Sequence, residues 1–205
     1  SRLWCTMRTA SNSFGPVDIW VNNAMATVFS EFENIEPEEF KRVTEVAYLG
    51  FVYGTRTALR HMLPRDHGVI VQVGSALSKR SIPLQSAYCG AKHGINGFTD
   101  SIRSELIHKK SKVHITTMQL PGMNTPQFDW SRSKMPNKAQ PVPPIFQPEV
   151  AAEAIYWSAH QRRREVDIGW NTALILTGNK FFPQEMDQYL GHTNYQAQQT
   201  GETED

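Results

Sequence analysis

Three consecutive stretches in the middle of the chain constrain its fold more than any other feature. Val69-Ile70-Val71-Gln72-Val73 is a short, nearly continuous apolar run entered through Asp66-His67-Gly68, the pattern of a buried strand. From Ser86 to about His108 the residues Ala87, Ala91, Ile95, Phe98, Ile102 and Leu106 recur at three- and four-residue steps and so share one face of a long helix. Val113 to Leu120 is strand-like again and is stopped by Pro121-Gly122. Two strands joined through so long a helix cannot form a hairpin. The connection must cross over, the strands must run parallel, and helices must cover both faces of their sheet.

The rest of the chain continues the alternation. Residues 1–15 read as the end of a helix leading into an apolar run, Val17 to Val21, that closes on Asn22-Asn23-Ala24. Pro37 sits in the first turn of a helical stretch that carries Phe40, Val43, Leu49 and Val52 and continues to about Met62. A Pro-rich segment, Gln140 to Pro148, precedes a helix from Glu149 to His160, a short strand from Glu165 to Gly169 and a final helix from Asn171 to Phe182. The expected fold is α/β, a doubly wound parallel sheet, over residues 1–183. After Pro183 the composition turns polar, so residues 184–205 are expected to be a C-terminal tail, disordered from Gln196 onward.

With 205 residues there is room for one domain with a sizeable core. Lys and Arg number 21 against 20 Asp and Glu, so no charge excess points to nucleic acid or an anionic membrane. The one basic run, Arg162-Arg163-Arg164, reads as a solvated helix end or as an anion contact. Cys5 and Cys89 lack metal-ligand spacing, and no apolar run reaches the roughly 18 residues of a membrane span. These features lead to the expectation of a soluble, cytoplasmic domain without metal, nucleic-acid or membrane partners.

Chemistry enters with Ser75, Tyr88 and Lys92. Tyrosine and lysine at i and i+4 share a helix face, so the ammonium approaches the phenol. A fixed positive charge there favours phenolate and is expected to lower the tyrosine pKa from about 10 toward working pH. Such a phenol can give or take a proton beside a carbonyl or an alcohol.

Asn22-Asn23-Ala24 after a strand, Ser75 at a strand end, Tyr88-x-x-x-Lys92 on the next helix and Pro121-Gly122 after the following strand occur in an order that resembles the short-chain dehydrogenase/reductase (SDR) family, with its Rossmann-like fold. The likeness runs from about Phe14 to about Gly169. It implies an NAD(P)-dependent oxidoreductase that interconverts a secondary alcohol and a ketone, with NAD or NADP as cofactor. Tyr88 would be the proton donor or acceptor, Lys92 would tune it and bind the nicotinamide ribose, and Ser75 would hold the substrate oxygen. Asn22 and Ala24 would border the adenosine side of the cofactor, with Pro121, Gly122 and Thr125 near its carboxamide and pyrophosphate. Bland roles compete for some of these: Asn22 and Asn23 suit a strand end, and Thr125 is a plausible structural hydroxyl. His93 points about 100° away from Lys92 around the helix and is expected at the surface.

The family pattern is broken at two places. Met25 stands where the family usually has glycine, and Ala47 where it usually has an asparagine three residues before Gly50. The asparagine acts in the family's proton relay largely through its main-chain carbonyl, which alanine keeps. Reduced or altered activity is therefore the expectation. No Gly-rich phosphate fingerprint lies near Ser1, so the chain is expected to be the C-terminal two thirds of a longer protein, with the NAD-versus-NADP determinants outside it. The 123–148 segment, with Met123, Phe128, Trp130, Met135 and Phe146, either closes over an apolar substrate or merely packs down. The helices Pro37–Met62 and Ser86–His108 correspond to those that pair subunits in the family, which implies a homodimer or homotetramer. A non-catalytic, cofactor-sensing or scaffold relative is the alternative reading.

Overall fold

The β–α–β core expected in the middle of the chain is present in the computed structural model, which describes residues 2–169 and 177–203. In chain order the first half holds α1 (Arg2–Phe14), β1 (Ile19–Asn22), β2 (Val28–Phe29), α2 (Pro37–Thr44), α3 (Gly50–Met62), β3 (Val69–Val73) and α4 (Ser86–His108). The second half holds β4 (His114–Gln119), β5 (Gly122–Met123), α5 (Gln127–Trp130), β6 (Arg132–Ser133), β7 (Asn137–Ala139) and β8 (Ile145–Phe146). It ends with α6 (Pro148–Ala159), β9 (Glu165–Asp167), α7 (Pro183–Ala197) and β10 (Gln199–Thr203). The predicted helix over Asn171 to Phe182 falls in large part outside the described residues; within it, 177–181 are helical.

The main sheet has the order β1-β3-β4-β9 with every pair parallel, aligned through Ile19↔Val69, Val69↔His114 and Thr117↔Glu165. Alternation along β3 decides its two contacts. Ile70 joins Ala58, Met62, Leu106, Val113 and Ile115 in one buried cluster, beneath α3 and α4. Val71 and Val73 point to the other face and pack with Met118, Ala159 and Ile168 beneath α6. Burial on both faces is why these strands read as continuous apolar runs.

The stretch predicted as one helix from Pro37 to Met62 is interrupted. Its start is set by Pro37 and by the Glu36 backbone N–H, which donates to Glu39 Oε2 at 2.9 Å. Between α2 and α3 the five residues Glu45–Leu49 form a π turn in which the Gly50 N–H reaches back to the Glu45 carbonyl. Ala47 lies in that turn, fully buried.

The expected disordered C-terminus is corrected by the structure. α7 starts at Pro183 and is followed by β10, which pairs antiparallel with β7. Composition misled because the polar residues here do not seek water. Gln198 is 1% exposed, yet its Nε2 donates to the carbonyls of Pro83 (2.9 Å) and Asn194 (3.0 Å), and its Oε1 accepts from Gln85 Nε2 (2.7 Å). A satisfied amide can be buried as readily as an apolar group. Among the described residues no helix is long and apolar enough to cross a membrane.

Candidate active site

The carboxyl ends of β1, β3 and β4 open onto a cavity of about 610 Å³ whose lining includes Asn23, Gly74, Ser75, Leu120, Pro121 and Gly122. Ligands of open parallel sheets bind at this edge, where loops diverge above the strand ends. Tyr88 and Lys92 reach the same cavity from α4.

Ser75 follows β3 in extended backbone and caps a short turn, Ala76–Ser78, by accepting from the Leu77 N–H at 3.2 Å. The Ala76 N–H donates to the Leu120 carbonyl (2.9 Å), and the Ser78 hydroxyl shares its one proton between the Ser75 carbonyl (2.6 Å) and Gln119 Oε1 (2.5 Å). Gln119 is fully buried, and its Nε2 donates to Glu165 Oε1 at 2.8 Å. The serine therefore sits on a turn braced from β4 and β9.

Lys92 is 3% exposed. Its Nζ donates to the Val73 carbonyl at 2.8 Å and lies 4.7 Å from the Phe51 ring centroid and 5.6 Å from that of Tyr88. The expected approach of ammonium and phenol is thus present, but the expected electrostatics are reversed. Burial pushes Tyr88 above the ordinary phenol value, and its hydrogen bond with Ser75 offsets only part of this. Burial also pushes Lys92 down, to about 7. The reason is physical: a lysine taken out of water tends to lose its proton, so it stops being the fixed charge that would lower its neighbour.

The remaining sequence-predicted positions separate. Pro121, Gly122 and Thr125 line the cavity with the triad. A Cβ on Gly122 would meet the Val142 carbonyl oxygen at 2.5 Å, so the 141–144 loop can approach only a glycine. Asn22 does not line it. Its amide donates to Gln72 Oε1 (2.8 Å) and Thr55 Oγ1 (3.1 Å), and its Oδ1 accepts from Trp20 Nε1 (2.8 Å). Ala24 is exposed, while its neighbours Asn23 and Met25 line the cavity. Ala47 packs in a buried cluster with Val28, Val43, Ala87, Ala91 and Tyr88 itself. His93 is exposed, its ring Nδ1 2.8 Å from the Cys89 carbonyl.

Sequence reasoning missed Leu77, Ile82, Gln85, Leu190 and Asn194, which also line the cavity. Gln85 had one weak signal, its place three residues ahead of Tyr88. Leu190 and Asn194 had none, because only the return of α7 brings them here.

A family model described as short chain dehydrogenase matches residues 3–136. The chain belongs to this family. The chain is 33% identical over 194 residues to an uncharacterized oxidoreductase, YxnA, of Bacillus subtilis (strain 168), covering 93% of this chain and 54% of that protein. It is 29% identical over 164 residues to a 3-dehydrosphinganine reductase of Danio rerio, covering 78% of this chain and 49% of that one. The chain thus spans about half the length of these curated relatives. A solved short-chain dehydrogenase from Streptomyces avermitilis has the same fold, with a TM-score of 0.72 at 20% identity over 95% of this chain and 76% of that one.

Proposed function

We propose that this dehydrogenase interconverts a secondary alcohol and a ketone, using NAD or NADP, with Tyr88 as the group that moves the proton. One observation carries the reading: Ser75, Tyr88 and Lys92 converge on one cavity at the carboxyl ends of the parallel strands. The donor set fits the nicotinamide–ribose half of such a cofactor. Lys92 spends one N–H on the Val73 carbonyl, which leaves one for a ribose hydroxyl when the amine is neutral and two when it is protonated. Pro121, Gly122, Thr125, Asn23 and Met25 line the same cavity and are the residues that would border the cofactor.

When bound, the nicotinamide supplies or accepts the hydride. The protein's part is to place the substrate oxygen and handle its proton. Ser75 holds that oxygen against Tyr88, so the reacting carbon is presented in one orientation. Because burial keeps the proton on Tyr88 near neutral pH, the phenol is set to donate as a carbonyl oxygen gains negative charge, and to take the proton back in the reverse direction. Lys92, with its value near 7, can hold or release a proton beside the phenol.

We place the protein in the cytoplasm, a setting supported by the free, buried thiol of Cys89. We further propose self-association through the helices α2 to α4, on which Tyr53 (52% exposed) and Ile107 (77% exposed) face outward; light scattering at a monomer mass would refute it. For the chemistry, the full-length protein is assayed for NADH and NADPH oxidation against a carbonyl panel. Tyr88→Phe is expected to lower kcat by at least about 10²-fold with unchanged circular dichroism. Unchanged turnover in that variant would remove Tyr88 from the mechanism.

A further inference from the structure

Two side-chain amides enter the cavity with hydrogen-bonding capacity that the protein leaves unspent. Asn194 of α7 is 9% exposed and lines the cavity. Its Oδ1 accepts a long bond from Thr193 Oγ1 at 3.5 Å, and its Nδ2 has no partner among the described residues. Gln85, one turn ahead of Tyr88 at the start of α4, is 7% exposed and lines the same cavity. Its Nε2 is used on Gln198, while its Oε1 has no partner among the described residues.

Gln198 holds the two amides together. It accepts from the Gln85 side chain and donates to the Asn194 backbone carbonyl, so a spare acceptor and a spare donor flank one buried strut. Arg80 anchors the same helix by donating to Asp187 Oδ1 at 2.6 Å. Much of the remaining wall is apolar, with Leu77, Ile82, Met123, Phe128, Phe146 and Leu190. Neither spare atom is sealed from the cavity, so in a largely apolar wall the two amides offer their unused acceptor and donor to a ligand group.

We infer that the substrate is an apolar ketone or secondary alcohol carrying a second hydroxyl, which donates to Gln85 Oε1 and accepts from Asn194 Nδ2. This rests on the alcohol–ketone reading of Tyr88. A hydroxyl both donates and accepts, whereas a second carbonyl only accepts and leaves Gln85 Oε1 unpaired. A carboxylate is disfavoured because the arginines at the cavity, Arg80 and Arg132, are already ion-paired with Asp187 and Glu39. At about 610 Å³ the cavity is large enough for a ring or short chain bearing both oxygens.

The test measures binding rather than turnover, so it does not depend on the redox reading. Calorimetry on the full-length protein compares a tertiary cyclohexanol, which has no carbinol hydrogen to lose, with the same ring bearing a hydroxymethyl group at successive positions. At least one hydroxymethyl compound is expected to bind about tenfold tighter than the parent alcohol. Asn194→Leu is expected to bring the hydroxymethyl compounds to the affinity of the parent alcohol measured on the same variant, whatever that affinity is, with the fold kept because Gln198 holds the Asn194 backbone and not its side chain. Asn194→Asp keeps the shape but replaces the donor with an acceptor, and should lose the preference too, which covers a failure of the leucine variant to fold. Equal binding of all compounds by the wild type, or a preference that survives in either folded variant, overturns the inference. A preference that vanishes in the variants, beside an active Tyr88→Phe protein, would retain this subsite and refute the proton-transfer reading instead.

Discussion

Replacing Asn22 by leucine separates a structural amide from a ligand-facing one. The side chain is 7% exposed and makes three hydrogen bonds, to Gln72, Thr55 and Trp20. Leucine is close to asparagine in size, so it opens little cavity but forms none of these bonds. Gln72 is fully buried, and leaving its Oε1 without a donor costs about 1–3 kcal/mol. Thr55 keeps its bond from Gln72 Nε2 at 2.8 Å, and Trp20, half-buried, recovers part of its bond from water. The leucine's own burial returns roughly 1 kcal/mol. The net expectation is a destabilisation of about 1 kcal/mol, which for a chain this long lowers Tm by roughly 2–4 °C. Urea denaturation with an unchanged m value, alongside the cofactor KM of the full-length protein, measures both effects. Stability within about 0.5 kcal/mol of wild type, together with a cofactor KM raised tenfold, would refute the reasoning and turn Asn22 toward the ligand.

Ala47→Asn, which restores the residue usual in the family, is expected to destabilise by about 1–3 kcal/mol without raising turnover, since its amide would enter an apolar cluster around Tyr88. Denaturant midpoints and kcat report the two outcomes. Gly122→Ala should cost about 1–3 kcal/mol by forcing the Val142 carbonyl away from the new Cβ, read as a lower Tm. Lys92 sets a pH dependence. Its folded value of about 7 lies below the unfolded 10.5, so between them the unfolded chain binds more protons and stability rises with pH. This contribution is fully present above pH 10.5 and is lost as pH falls through 7. The Tm of wild type minus that of Lys92→Met should therefore increase from about pH 6 to about pH 9; a flat or falling difference would mean that Lys92 stays charged when folded.

The parallel core was legible because burial on two faces leaves a local trace. Val69–Val73 is an apolar run since no side of β3 meets water, and the three- and four-residue spacing over Ser86–His108 marks the buried face of α4. Ser75, Tyr88 and Lys92 were legible for a related reason: each sits at a fixed offset from a strand end or along one helix, so sequence spacing translates directly into position. The π turn at Glu45–Leu49 was not, because an i-to-i+5 bond leaves the apolar periodicity of the surrounding helix nearly intact.

The sequence by itself determined the α/β class and singled out Ser75, Tyr88 and Lys92, which the fold gathers at one edge of the sheet. The tertiary structure alone decided the environment of those residues. Burial raised Tyr88 and lowered Lys92, against an expectation built from charge alone, because desolvation depends on what packs around a group and not on its neighbour four residues away. It also decided the cavity's far wall. Gln198 is polar and reads as tail, yet Gln85 and Pro83, both more than a hundred residues earlier in the chain, satisfy its amide and let α7 close on the site.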